Sequence, residues 1–183
     1  MLDAAAVAAL VRGFHDPSDG EALKSQELVL MLLDRSPAPF SRDQFTHGHI
    51  TATGLVVAPD GESLLLVLHR RLDRWLLPGG HIEPEDATAG DAARREVLEE
   101  TGVTLAPDPA PPLAGIDVHG IPNRRKEPYH LHHDLLFFFH AVSTDLRVSP
   151  ESREVLWCPP GDFDRYALPV SVRRAYRRVL STE

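Results

Sequence analysis

The sequence predicts an α/β fold, a mixed sheet sandwiched between helices and preceded by a helical N-terminal extension. Strand-like runs lie on both sides of one strongly helical segment, and a second helical pattern closes the chain. Residues 1–45 carry helical rather than strand periodicity, so the extension is assigned to 1–45 and the main domain to 46–183. A chain of 183 residues is long enough for one well-buried core.

Composition narrows the class. Hydrophobic residues make up 43% and charged residues 25%, the values of an ordinary soluble globular protein. No apolar run approaches a membrane span, and the apolar start lacks a basic leader and carries Asp3, so neither membrane insertion nor secretion is expected. Cys158 is the sole cysteine, which excludes an intrachain disulfide framework and suits a reducing cytoplasm. A net charge of −8 disfavours a nucleic-acid duplex as partner. An anionic small molecule would need a bound cation to offset that charge.

In chain order, Leu2, Ala6, Ala9 and Leu10 lie at helical spacing before Asp16-Pro17-Ser18-Asp19-Gly20 breaks the run. Ser18 with Glu21 resembles a capping box opening a second helix through Leu23, Leu30, Met31 and Leu33, which Pro37 and Pro39 end. This pair of helices is suited to packing or to forming a homodimer. From His49, residues 50–58 and 63–71 read as a hairpin joined by Pro59-Asp60-Gly61. Further strands are expected over 113–121, 130–142 and 154–158, with a basic loop at 122–129. Pro169 suits the first turn of a closing helix whose Val172, Tyr176, Val179 and Leu180 share a face.

The segment Leu77–Val103 holds the chemistry. Thr88 with Asp91 makes a helix start and Gly102 a helix end, giving a helix over Ala89–Thr101 with Ala92, Ala93, Val97 and Leu98 on its apolar side. On it Glu96, Glu99 and Glu100 stand at i, i+3 and i+4, so their carboxylates project together. Three anions so close repel unless cations sit between them, and hard divalent ions take such oxygen ligands. A solvated acidic face is the alternative. Arg95, four residues before Glu99, can orient a carboxylate, and Pro78-Gly79-Gly80 just upstream lets backbone approach a metal or phosphate closely.

This segment resembles the signature of the Nudix hydrolase family, Gly, five residues, Glu, seven residues, then Arg-Glu-aliphatic-any-Glu-Glu-any-Gly-aliphatic. Arg95-Glu96-Val97-Leu98-Glu99-Glu100-Thr101-Gly102-Val103 matches the second half throughout. In the first half Asp86 stands where the family has Glu, and eight residues rather than seven separate it from Arg95. The extra residue falls near Ala87, so the helix register survives. The resemblance implies a Nudix-type α/β/α sandwich and a hydrolase that cleaves a nucleoside diphosphate linked to another moiety, with Mg²⁺ or Mn²⁺. It further implies that Glu96, Glu99 and Glu100 hold metal with a carbonyl at Gly79 or Gly80, and that Asp86 is a supporting group. Arg95, Glu99 and Glu100 are then catalytic, with Glu154, or alternatively Glu151 or Glu100, as the general base.

Other candidates are less patterned. His130, His132 and Asp134 alternate along one strand and share a face, as His47 and His49 do on another. They suit the lining of a substrate cleft, or else a zinc site. His81, His132, Arg124 and Arg125 are the candidate substrate contacts, with Lys126 beside them, and Trp75 is expected to pack in the core. A nucleotide-binding sensor without turnover and a diphosphate isomerase are the competing functions. The intact glutamates argue against the first and the isolated Cys158 lends the second little.

Overall fold

In the computed structural model, which describes residues 2–124 and 127–181, two helices come first. Helix α1 (Ala4–Gly13) is capped by Asp3, and α2 (Gly20–Arg35) by Asp19, whose side chain accepts from the Ala22 amide. The cap of α2 is thus Asp19 and not the expected Ser18, whose hydroxyl donates instead to Asp16. The inward face of α1 also differs. Val7, Ala8 and Val11 are buried while Ala6, Ala9 and Leu10 face solvent, because a helix apolar nearly all round gives periodicity little to choose by. On α2, Met31 is exposed and the buried positions are Ala22, Ser25, Val29 and Leu32. Gln26 donates to the Val11 and Phe14 carbonyls at 2.6 and 2.8 Å, satisfying the end of α1.

The hairpin strands β1 (His49–Val57) and β2 (Leu64–His69) are joined by the expected turn, in which Asp60 accepts from the Glu62 and Ser63 amides and Gly61 takes φ +79°. They pair only at Val57 and Leu64, the closed end, because each strand then finds other partners. Strand β3 (Arg74–Leu76) pairs with β2, and β4 (Gly79–His81) pairs with β1, both antiparallel. A Cβ on Gly79 would meet Thr53 Cα at 2.7 Å and the Ala52 carbonyl oxygen at 2.8 Å, so glycine is what lets this strand press against β1.

After α3 (Ala89–Thr101) come β5 (Leu113–Ile121), β6 (His130–His140), β7 (Ser152–Cys158) and α4 (Val170–Leu180). Strand β6 runs parallel to β1, from His49 opposite His132 to Val57 opposite His140. Strand β5 is antiparallel to β6, and β7 antiparallel to β2. The mixed arm β4-β1-β6-β5 and the antiparallel arm β3-β2-β7 therefore meet at the hairpin. Helices α1, α2 and α3 cover one face, where Val11, Val29, Ala93 and Val97 pack with Ile50, Ile116 and Phe137. Helix α4 covers the other, with Ala175, Tyr176 and Val179 against Leu55, Leu136 and Phe138. The result is the expected α/β/α sandwich, with the N-terminal helices sharing a core with α3. No helix among the described residues is long and apolar enough to cross a membrane.

The turn before α2 is tied to α4 across the edge strand β5. Arg174 Nη1 donates to Asp19 at 2.7 Å and Arg178 Nε to Asp16 at 2.8 Å, with Asp19 buried. Asp19→Ala removes both a helix cap and a buried ion partner, and should cost about 2–3 kcal/mol in urea unfolding. Asp19→Asn keeps the cap and should cost roughly half as much; equal losses would mean that the cap contributes nothing.

Candidate functional site

Local sequence fixes α3 as expected. The Thr88 hydroxyl accepts from the Asp91 amide at 3.0 Å, and Gly102 closes the helix at φ +68° with its amide donating to Leu98 O at 2.9 Å. A Cβ on Gly54 would lie 2.4 Å from Val97 Cγ2, so β1 also lacks a side chain where the helix crosses it. The helix is rotated so that Leu98, expected inside, is 52% exposed while Glu100 is 6% exposed. The Glu96 and Glu100 carboxylates thereby face β4 instead of solvent.

Each glutamate has a distinct place. Glu100 accepts from the Gly79 amide at 3.1 Å. The Glu96 carboxylate occupies the space that a Gly80 side chain would fill, 2.7 Å from that ideal Cβ position. Glu99 is the most open, its side chain 58% exposed. Arg95 joins the set: Nη1 donates to Glu96 at 2.8 Å and Glu99 at 3.1 Å, while Nη2 donates to the His81 carbonyl at 2.9 Å. Its Nε and Nη2 grip Asp86 at 3.0 and 2.9 Å, and Asp86 also accepts from the Glu83 amide at 2.8 Å. The shorter carboxylate with one extra loop residue still reaches the arginine in bidentate form.

The electrostatics are unbalanced. Burial, reinforced by Glu96, Glu151 and Glu99 and opposed by the Gly79 amide, pushes the Glu100 carboxyl up to about 8. Burial also raises Glu96, against the pull of Arg95. At Asp86 burial acts upward too, but Arg95 and the Glu83 amide outweigh it and hold the group below its usual value. Hydrogen bonding to Asp86, opposed by burial and helped by Glu96, raises Arg95. One guanidinium serves Asp86, Glu96 and Glu99, with Glu100 close by on the Gly79 amide, which leaves an excess of carboxylate oxygen donors of the kind a hard divalent cation satisfies.

The other sequence candidates fall on different sides of the sheet. Alternation along β7 puts Val155 and Trp157 towards α3, and Glu154 with Leu156 and Cys158 on the α4 face. Strand β7 begins at Ser152, two residues earlier than expected. Glu151, just before it, is the loop carboxylate whose charge acts on Glu96 and Glu100. Arg124 pairs through its main chain with Glu127 in the β5–β6 loop, its amide donating to the Glu127 carbonyl at 2.8 Å, and its charge reaches His69. Arg125 and Lys126 lie outside the described residues. Trp75 packs edge-on against Tyr166, ring centres 5.0 Å apart, as a core residue.

Across β4 from the glutamates lies a face of histidines. Cross-strand pairing sets His49 against His132, His132 against His119, and Thr51 against His81. Ring centres of His49 lie 4.8 Å from His132 and 5.0 Å from His81, and His130 stacks on His49 at 5.1 Å. Asp134, expected beside the histidines, is engaged by the Thr51 and Thr53 hydroxyls at 2.9 and 2.8 Å. Burial, then the mutual repulsion of the rings, holds His81 down to about 4 and His132 down to about 2, so both are neutral imidazoles at neutral pH. The charges of Arg42, which follows α2, and of Arg74 on β3 are felt by this face. Nothing in the local sequence marks either arginine as part of a site.

Comparison with known proteins agrees with this geometry. The family model of the NUDIX domain matches residues 48–179. A Bacillus subtilis protein named "Putative 8-oxo-dGTP diphosphatase" is 28% identical over 117 residues, covering 63% of this chain and 70% of that protein. Human diphosphoinositol polyphosphate phosphohydrolase 3-alpha is 52% identical over 44 residues, 24% of this chain and 26% of its own length. Among solved structures, a NUDIX-family hydrolase from Clostridium perfringens superposes with TM-score 0.55 at 22% identity, covering 74% of this chain and 98% of that one. The NUDIX domain of Shewanella oneidensis NrtR, complexed with ADP ribose, gives 0.52 at 19%, covering 78% and 95%. These two structures share the fold.

The raised Glu100 carboxyl has a thermodynamic signature. Between its ordinary value of 4.5 and about 8 the folded chain holds a proton that the unfolded chain has lost, so this group's stabilisation fades as pH rises through that window. Metal-free wild type should lose roughly 3 kcal/mol relative to Glu100→Gln between about pH 5 and pH 8 in urea melts. A difference that stays flat with pH would show that Glu100 is ionised throughout.

Proposed function

This chain belongs to the Nudix hydrolase family, and from that premise we propose that it is a metal-dependent pyrophosphohydrolase that cleaves the diphosphate linkage of a nucleoside diphosphate derivative. Candidate substrates are a nucleoside triphosphate, ADP-ribose or another nucleotide sugar, and the likeness to the Bacillus subtilis protein favours the first. The supporting observation is the pair Glu96 and Glu100 set against β4, with Glu99 joined to them through Arg95, together carrying more carboxylate than that one arginine balances.

Glu96, Glu99 and Glu100 would hold Mg²⁺ or Mn²⁺, with main chain at Gly80 beside them. Such an ion, when bound, neutralises the diphosphate and lowers the pKa of a water. The chain's own residues supply the order: Arg95 fixes the Glu96 and Glu99 carboxylates, and the Gly79 amide fixes Glu100. Glu151 is the base that takes the proton of the attacking water, in preference to Glu154 on the opposite face. Water adds to phosphorus as the bond to the bridging oxygen breaks, and the leaving phosphate carries away the electron pair. Arg42, Arg74 and Arg124 supply positive charge along the approach of an anionic substrate to an otherwise acidic protein, and His81 and His132, across β4 from Glu96, are candidate contacts for the part of the substrate that extends past that strand.

With Mg²⁺ and a panel of nucleoside triphosphates, ADP-ribose, nucleotide sugars and dinucleotides, ³¹P NMR should show cleavage of one class. The Glu99→Gln/Glu100→Gln double variant should lose at least about 10³-fold in turnover with an unchanged circular dichroism spectrum. Shifts without cleavage across the panel would make the chain a nucleotide sensor instead.

The general base is tested separately. Glu151→Gln should lower kcat by about 100-fold with little change in KM, while Glu154→Gln should stay within about two-fold of wild type. The reverse pattern would return the role to Glu154.

A further inference from the structure

We propose that His49, His81 and His132 form a second metal site, separate from the glutamates, that takes a first-row transition ion such as Zn²⁺ and leaves one coordination position to a non-protein ligand. Three strands bring these residues together: His49 opens β1, His81 ends β4 and His132 lies on β6. One ring nitrogen from each lies within 4.8 Å of the other two. Tetrahedral nitrogen ligands at zinc stand about 3.3 Å apart, so the rings need draw in by at most about 1.5 Å. His81 and His132 are only half-buried and can make that adjustment by side-chain rotation.

A second observation points to a ligand independently. His49 is fully buried, and its Nδ1 lies 3.2 Å from the Gln44 carbonyl oxygen. A carbonyl can only accept, so Nδ1 carries the proton and Nε2 presents its lone pair. That Nε2 is buried with no hydrogen-bond partner. An unpaired buried nitrogen of this kind is costly, and a metal ion would satisfy it. The arrangement of a main-chain acceptor behind one nitrogen and a free lone pair on the other is how ligating histidines are commonly oriented.

The donor chemistry sets the ion class. Three neutral imidazoles favour Zn²⁺, Fe²⁺, Co²⁺, Ni²⁺ or Cu²⁺ over Mg²⁺, which prefers oxygen. Three protein ligands leave room for water or a substrate oxygen. The site does not depend on the hydrolase assignment, because its ligands and those of the glutamate site lie on opposite sides of β4. Gly80 abuts Glu96, and the neighbouring His81 ring points the other way.

The full chain, stripped with chelator, should bind roughly one equivalent of Co²⁺ in a form with visible ligand-field absorption, which Zn²⁺ displaces and excess Mg²⁺ does not. Glu96→Gln/Glu99→Gln should retain that absorption. His81→Asn and His132→Asn should each weaken Co²⁺ binding by about 100-fold while keeping a folded circular dichroism spectrum. These two carry the test, since replacing the buried His49 risks the fold. Co²⁺ absorption that is absent from wild type, or that is lost with the glutamates and survives both histidine variants, would overturn the proposal. Neither result bears on whether the chain hydrolyses diphosphates with Mg²⁺.

Discussion

The close approach of β4 to β1, which the absence of a side chain at Gly79 permits, is the constraint on which the site depends. With main chain of Thr53 and Ala52 within 3 Å of where a Gly79 Cβ would stand, any other residue would push the strand away. Moving β4 would take with it the amide that orients Glu100, the gap at Gly80 that the Glu96 carboxylate enters, and the strand that carries His81 into the histidine face. A strand of three residues thus positions groups on both of its sides. Its own hydrogen bonds are few, and its place is held by β1 on one flank and α3 above.

That α3 face is built against local electrostatic preference. A helix that buried Leu98 in place of Glu100 would lose nothing in propensity and would avoid burying a carboxyl group. The chain instead exposes Leu98 and surrounds Arg95 with Asp86, Glu96 and Glu99. The stability this forgoes has to come from elsewhere, and the apolar packing of α1, α2 and α3 over Ile50, Ile116 and Phe137 is the obvious source. The N-terminal helices matter to the site in this indirect way. They enlarge the core on the face where the glutamates weaken it, and their ion pairs with α4 pin them across the exposed edge of β5.

How much could be read from the sequence depended on how local the cause was. The ends of α3 were legible because Thr88 and Gly102 act within a few residues, and β5 and the start of β6 because their runs are long and bounded by turns. Strands of three residues carry no periodicity, so β3 and β4 were invisible as strands. Strand β7 begins two residues before the expected start at 154, and the alternation along it turns Glu154 to the α4 face. The face of α1 was misread because nearly every residue on it is apolar. His130, His132 and Asp134 were seen to share a strand face, but the trio that converges is cross-strand, and only the pairings of β1 with β6 and β4 bring His49, His132 and His81 together.

His81 joins the two sides in one residue. Its carbonyl oxygen accepts from Arg95 Nη2, and its ring meets His49 and His132 on the opposite side of β4. A shift of its main chain therefore acts on Arg95, and through Arg95 on the carboxylates of Glu96 and Glu99. Drawing the ring toward an ion and drawing the carbonyl toward the guanidinium pull on the same short strand from opposite sides. Energetic coupling requires no long pathway in such a geometry, because one peptide unit is shared.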